Sequence, residues 1–267
     1  MKNEITIVEQ GIVSQVTQFE KLLDTLGLPS QNVIASMDER QNIMNMLPNM
    51  IINMPEEQKR DARYLSKFVA GAAIGLFDAS LNFVWDEVIV SLRKKIVFYG
   101  LDTFFDSAVY DKIRDQYNDE EDLLGIKDKV LLDTLKKLEW ISDIVYRKLC
   151  HILDMRNQIG ASHPNTYDIN SYELLGWLQT CVKEVIADKP SSNAIHVKDI
   201  MENLRNNKQE IDEITLSTIE KAVSEFSTGM AGNLLRSLFG LYIADNTLPE
   251  VRKNILKLSA VVWKYCM

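Results

Sequence analysis

The chain contains few of the residues from which many enzymes build their sites. It has only three histidines and three cysteines, and no cysteine pair stands at C-x-x-C spacing. The three histidines, which include His196, are scattered through the chain, so a zinc site is disfavoured. The motifs G-x-x-x-x-G-K-[ST], G-x-G-x-x-G and G-x-S-x-G are also missing, which disfavours a P-loop nucleotidase, a dinucleotide-binding fold and an α/β-hydrolase. We therefore expect neither a metal nor an organic cofactor.

An excess of positive charge is also lacking. With 30 basic and 38 acidic residues the net charge is -8, so no overall positive field draws the chain to RNA or anionic lipid. Contact with RNA would have to be local. The longest apolar stretch, residues 68–92, is interrupted by acidic residues, and Glu4 and Glu9 stand where a secretory signal needs basic and apolar ones. We expect a cytoplasmic protein that does not span a membrane, with its cysteines as reduced thiols.

The pattern of a half-buried strand, in which apolar and polar residues alternate, is scarce, whereas apolar residues recur at helical spacing almost everywhere. We expect an all-α fold. The predicted domain organisation is an N-terminal helical segment (1–57), a central helical bundle (58–190) and a C-terminal helical segment (191–267), with a linker at Lys189–Asn193. The predicted helices are 4–26, 38–52, 58–99, 101–117, one carrying residues 131–156, 171–187, 197–206, 216–243 with an interruption at 229–232, and 249–265.

One apolar stripe leads to the residues that are best suited to catalysis. Its members are spaced by three or four residues, which predicts a single amphipathic helix: Leu131, Leu135, Leu138, Ile141, Val145, Leu149 and Ile152. This helix carries Arg156 on or near its last turn. Gly160 and Pro164 follow, and Pro164 biases His163 towards an extended backbone just beyond the helix.

A cation and an imidazole placed together at a helix end suit metal-free cleavage of a phosphodiester. The Arg156 guanidinium stays charged and binds phosphate oxygens in a fork, while the His163 imidazole exchanges protons near neutral pH. The competing interpretation is a C-terminal helix cap, since both residue types favour the negative end of the helix dipole. The residues alone leave both interpretations open.

The segment resembles the signature of the HEPN superfamily, small helical bundles that include many metal-independent ribonucleases. That signature is an Arg, usually followed by a polar residue, and then a His after four to six positions; Arg156, Asn157 and His163 match it with six intervening positions. The resemblance covers about residues 58–187. It implies a HEPN-like helical bundle with additional N- and C-terminal helices.

The resemblance also implies an activity, which is endonucleolytic cleavage of RNA, possibly tRNA, by a toxin or antiviral-defence effector. His163 would act as general acid or base, Arg156 would stabilise the phosphorane charge, and Asn157 and Ser162 would bind the substrate. Family members usually dimerise, so a homodimer is implied, with an antitoxin or defence-system protein as a further partner. Toxins of the family that are regulated by a nucleotidyltransferase often carry Tyr where this chain has Asn165.

Two alternatives stay open at this point. A chain with the HEPN bundle but without its activity would serve as an interaction or sensor subunit of a defence complex. A helical protein unrelated to the superfamily would use Arg156 and His163 only to cap a helix.

Overall fold

The computed structural model describes residues 16–109, 111–160, 167–206, 209–245 and 247–267, without the side chains of residues 111, 112 and 160. Every regular element in this part of the chain is helical, and no strand occurs in it. The predicted all-α class is confirmed. The α-helices are α1 (16–25), α2 (Met37–Ile51), α3 (Glu56–Asp61), α4 (Arg63–Ile74), α5 (Phe77–Tyr99), α6 (Leu101–Ala108), α7 (Asp128–Lys137), α8 (Asp143–Gly160), α9 (Ser171–Cys181), α10 (Ser192–Asn206), α11 (Glu213–Val223), α12 (Thr228–Ile243) and α13 (Pro249–Trp263).

Short helical turns complete the list. Asp111–Gln116 and Glu121–Gly125 are 3-10 turns, and α9 continues into a π-helical turn at Val182–Ile186. Among the described residues, no helix combines the length and the apolar character needed to cross a membrane.

The chain divides into two compact units, neither of which is continuous in sequence. The first comprises the residues up to Leu92 together with Arg147–Asp188, and the second comprises Arg93–Tyr146 together with Lys189–Met267. This division differs from the expected three consecutive segments, because helices far apart in sequence pack together. In the first unit, for example, α2 packs on α9 and α4, which joins the expected N-terminal segment to the expected central bundle.

The first unit is built around fully buried side chains from five helices. They include Ile43, Phe68, Trp85, Leu149 and Leu174. The ends of its helices are capped as the sequence allows: Ser36 caps α2, and Asn170 forms a capping box with Glu173 at the start of α9. Glu39 of α2 also accepts a hydrogen bond from the Ser171 amide, so α2 and α9 are tied together at their N-termini.

Helix α4 begins without a capping side chain of its own, because its N-cap residue is Ala62. The carboxylate of Glu87 on α5 takes this role. It accepts hydrogen bonds from the backbone amides of Tyr64 at 2.9 Å and Leu65 at 3.0 Å, while Glu87 itself is only 4% exposed. A buried negative charge is thereby placed against the positive end of a helix dipole.

The prediction of one long helix over residues 58–99 was wrong. The stretch contains three helices, and the sharpest break is at Gly75, whose φ of +102° ends α4 in the left-handed conformation. The small residues just before it do permit close packing. A Cβ at Gly71 would lie 2.7 Å from the Ser80 hydroxyl, so the close neighbour is the first turn of α5.

Replacing Gly75 by Ala should destabilise the protein by about 1–3 kcal/mol, because an L side chain is strained at positive φ. The added Cβ would also lie 3.0 Å from the backbone nitrogen of Ala35, which cannot rotate away. Gly176→Ala is the matched control, since that helical glycine has nothing within 4 Å of the new Cβ and Ala favours helix. Urea unfolding of both variants measures the difference, and equal stabilities would contradict this view of Gly75.

The apolar stripe predicted as one helix runs through α7, the turn after it and α8, so that prediction was also wrong. Helix α7 ends in a Schellman motif: Glu139 adopts φ +58°, its amide donates to the Lys136 carbonyl, and the Trp140 amide donates to the Leu135 carbonyl. Ser142 then begins α8 by accepting from the Val145 amide at 3.2 Å. Apolar spacing continues through the break because both helices bury their stripe.

The second unit has a separate core formed by α10, α11, α12 and α13. Its fully buried members include Val223, Ala231, Leu238, Ile255 and Leu258. The interruption expected at residues 229–232 lies earlier, at residues 224–227, where Ser227 caps α12. Ser or Thr directly before an apolar run marks a helix start more reliably than glycines within the run mark an interruption.

Candidate functional site

Arg156 lies four residues before the end of α8, as the sequence predicted, and its guanidinium is partly exposed. Its Nε donates to Oδ1 of Asn82 on α5 at 3.0 Å, and its Nη1 donates to Oδ1 of the neighbouring Asn157 at 3.0 Å. The structure therefore brings together two of the four predicted site residues, Arg156 and Asn157. Both acceptors are neutral amides.

The other two predicted site residues, His163 and Ser162, lie outside the described residues, as does Asn165. Their predicted roles therefore stay predictions. The described chain resumes at Tyr167, whose hydroxyl donates to the Glu173 carboxylate; this hydrogen bond raises the pKa of Tyr167 above its ordinary value. Tyr167 is thus a neutral phenol at physiological pH.

Asn82 is a site residue that sequence reasoning missed. It stands 74 positions before Arg156, and no motif or spacing connects the two. Its amide orientation follows from its hydrogen bonds: Nδ2 donates to the Asp78 carbonyl at 3.0 Å, which leaves Oδ1 to face the guanidinium. Only the packing of α5 beside α8 in the first unit reveals this contact.

The charge of Arg156 is not neutralised by any carboxylate that the structure describes. Among the described residues, no Asp or Glu lies within ion-pair distance of it. Arg114 in the second unit shows the ordinary alternative, since its Nε lies 2.6 Å from Asp106 and its Nη2 lies 3.6 Å from Asp102. The Arg156 guanidinium has more N–H groups than its two amide contacts use. It is therefore suited to hold an anion.

A cleft of about 410 Å³ lies in the same unit, and Arg156 is not among its lining residues. Ile159, one helical turn after Arg156, lines it together with Asp78, whose carbonyl holds Asn82, and with Glu39 and Asp168. Two of these carboxylates already have structural contacts, because Glu39 accepts from the Ser171 amide and Asp78 from the Ala79 amide. The cleft is nevertheless acidic, which favours a phosphate at the arginine over one inside the cleft.

The other two histidines, His151 and His196, differ in their surroundings. His151 is exposed on α8, with its ring centroid 6.3 Å from that of Trp177 in an edge-on arrangement. His196 of the second unit has a buried Nδ1 that meets no hydrogen-bond partner in the described part of the chain. The part of the chain that the structure describes holds no group of three or more His, Cys, Asp or Glu side chains placed to bind a metal ion.

The buried cysteine, Cys181, is not suited to nucleophilic chemistry. Cys150, Cys181 and Cys266 are not joined in a disulfide, and burial raises the pKa of Cys181 to about 12. A thiol with so high a pKa is not a nucleophile at neutral pH.

The second unit contains two larger cavities. One, of about 610 Å³, is bordered by the ion pairs that Asp102 and Asp106 form with Arg114 and Arg205. The other, of about 470 Å³, is lined by aliphatic side chains such as Ile200, together with His196. The arginines of the first cavity are already paired with aspartates, so Arg156 is the better candidate to bind an anion.

Comparison with known proteins does not add a family to this geometry. No protein-family model, curated protein or solved structure matches the chain. The HEPN resemblance rests on Arg156, Asn157 and His163 in the sequence.

Proposed function

We propose that this protein is a metal-independent endoribonuclease of the HEPN type, with Arg156 and His163 as its catalytic pair. The observation that supports the proposal is the state of Arg156. Its guanidinium is oriented by two neutral amides at the end of α8, is partly exposed, and has no carboxylate partner among the described residues. An arginine that only capped α8 would not need an acceptor on α5 to fix its orientation.

The proposed reaction is transfer of the phosphodiester to the neighbouring ribose hydroxyl. The 2'-oxygen attacks phosphorus as His163 accepts its proton, and the bond to the 5'-oxygen breaks as that oxygen is protonated. The products are a 2',3'-cyclic phosphate and a 5'-hydroxyl. Arg156 stabilises the negative charge that builds up on the non-bridging oxygens of the phosphorane.

Two neighbours of the catalytic pair would hold the substrate. The Asn157 oxygen is occupied by Arg156, so Asn157 offers its NH₂ group as a donor to a phosphate oxygen. Ser162 would offer its hydroxyl in the same way. In a homodimer of the HEPN type, the partner's motif would supply a second imidazole to protonate the leaving oxygen.

The experiment that tests the proposal is cleavage of total RNA and tRNA in EDTA, followed by analysis of the new ends. We expect cleavage with cyclic phosphate ends from the wild type, and a loss of at least about 100-fold in rate for Arg156→Ala, the size typical of removing one transition-state donor. Arg147→Ala is the matched control, because Arg147 is an exposed arginine on the same helix. Full activity of Arg156→Ala would contradict the mechanism.

The second candidate function is an interaction or sensor subunit of a defence complex that has the bundle but not the activity. The acidic lining of the cleft in the first unit favours it, because Glu39, Asp78 and Asp168 repel an RNA backbone. Pure wild type that neither cleaves nor binds RNA, and that forms a stable complex with a separate effector protein, would support this function.

The proposed cellular role rests on the resemblance to the HEPN superfamily. An RNA-cleaving toxin or antiviral effector would act in the cytoplasm, as a homodimer and under the control of an antitoxin or another protein of the defence system. Expression of the wild type should then arrest growth, and sedimentation analysis should give twice the mass of one chain.

A further inference from the structure

We infer that Asn82 is a positioning residue, whose neutral amide orients Arg156 for a phosphate without neutralising its charge. This inference rests on the proposed function in naming the anion as an RNA phosphodiester. Its basis is a hydrogen-bonded chain in the first unit, in which the Asp78 carbonyl accepts from Asn82 at 3.0 Å and Asn82 accepts from Arg156 at 3.0 Å.

The order of donors and acceptors in these two hydrogen bonds fixes the orientation of the Asn82 amide. Because Nδ2 of Asn82 is held by the backbone of its own helix one turn earlier, the amide cannot turn its NH₂ group towards the guanidinium without losing that bond. Oδ1 is therefore fixed opposite Nε of Arg156. The side-chain entropy of the arginine is lost when the protein folds, so it is not lost again when the phosphate binds. Preorganisation of this kind raises affinity.

The chemistry of the acceptor matters as well. A carboxylate at this position would also accept from Nε, and would hold the arginine more strongly through charge. It would also cancel the positive charge, and a phosphate would then have to compete with a fixed anion. An amide orients the guanidinium and leaves its positive charge available to pair with the ligand. Asn157, the other acceptor, is an amide too, so both observed partners have this property.

Two substitutions separate orientation from charge. Asn82→Ala removes the acceptor and keeps the charge of Arg156 available, whereas Asn82→Asp keeps an acceptor and pairs the charge. Ser91→Asp is the control for added charge, since it places a carboxylate on the same helix roughly 13 Å further along its axis. These variants are made in the full chain carrying His163→Ala, so that bound RNA is not cut.

Binding of a fluorescent single-stranded oligonucleotide is measured between 50 and 300 mM salt. For Asn82→Ala we expect affinity about 3- to 10-fold weaker with an unchanged salt slope, because the number of phosphate contacts stays the same. For Asn82→Asp we expect weaker affinity and a slope of log K against log salt that is shallower by about 0.7, the value for one lost contact to a single strand. Ser91→Asp should leave the slope unchanged.

The outcomes separate this inference from the proposed function. An unchanged slope for Asn82→Asp, or the same change for Ser91→Asp, would overturn the role of Asn82. If the wild type with His163 intact binds RNA with the expected slopes but never cuts it, the inference stands and the endoribonuclease proposal fails. Failure of the protein to bind the oligonucleotide at all would overturn both. Circular dichroism and unfolding curves confirm that each variant is folded.

Discussion

Replacement of His163 by Ala should abolish RNA cleavage and leave the fold intact. Of the proposed groups, only this imidazole exchanges protons near neutral pH, and proton transfer by a positioned side chain contributes about 100- to 10,000-fold to the rate. We therefore expect cleavage in EDTA to fall by at least about 100-fold.

His151→Ala is the matched control for this experiment. His151 is exposed on α8 and contacts Trp177 edge-on, so its removal takes away an imidazole without touching Arg156. We expect it to keep full activity. If His163→Ala cut RNA as fast as the wild type, His163 would have no catalytic role, and a loss of activity in both variants would point to a general effect of the substitutions on folding.

Replacement of Glu87 by Ala should cause the largest loss of stability among the changes considered. The variant leaves the Tyr64 and Leu65 amides at the start of α4 without acceptors, and Leu65 is buried. A buried donor without a partner costs about 1–3 kcal/mol, so two donors and the lost helix-dipole interaction give an expected destabilisation of about 2–4 kcal/mol. Urea unfolding followed by circular dichroism measures it.

Two further variants define the cause. Glu87→Gln keeps an acceptor of the same shape without the charge, so it should recover part of the lost stability. Glu57→Ala removes an exposed carboxylate from α3, and we expect a change within about 0.5 kcal/mol. An Ala variant at Glu87 as stable as the wild type would show that water or another group satisfies the α4 amides.

Helix existence was predictable from the sequence, but helix breaks were predicted poorly. The apolar residues of α7 and α8 keep a spacing of three and four through the Schellman turn at Glu139, so periodicity alone could not show the break. Ser142 followed by Asp143 is a helix-start signal, but it stands within an uninterrupted apolar stripe. Glu139 in the left-handed conformation gave no warning, because Gly or Asn is the usual residue there.

The candidate site was predictable only in part. Arg156 and Asn157 were found because they stand next to each other in a recognisable motif, and the structure places them in contact. Asn82 and the acidic cleft could not be found in this way, since their members come from segments far apart in the chain. No local pattern encodes which amide faces a given guanidinium.

The sequence by itself determined the all-α class, the presence of most helices and the position of Arg156 near the end of one of them. These are local properties, set by apolar periodicity, capping residues and helix-terminating glycine or proline. Only the tertiary structure decided the grouping into two discontinuous units, the capping of α4 by Glu87 and the contact of Arg156 with Asn82. These depend on packing between distant helices, and many pairings of amphipathic helices satisfy the same pattern of apolar faces.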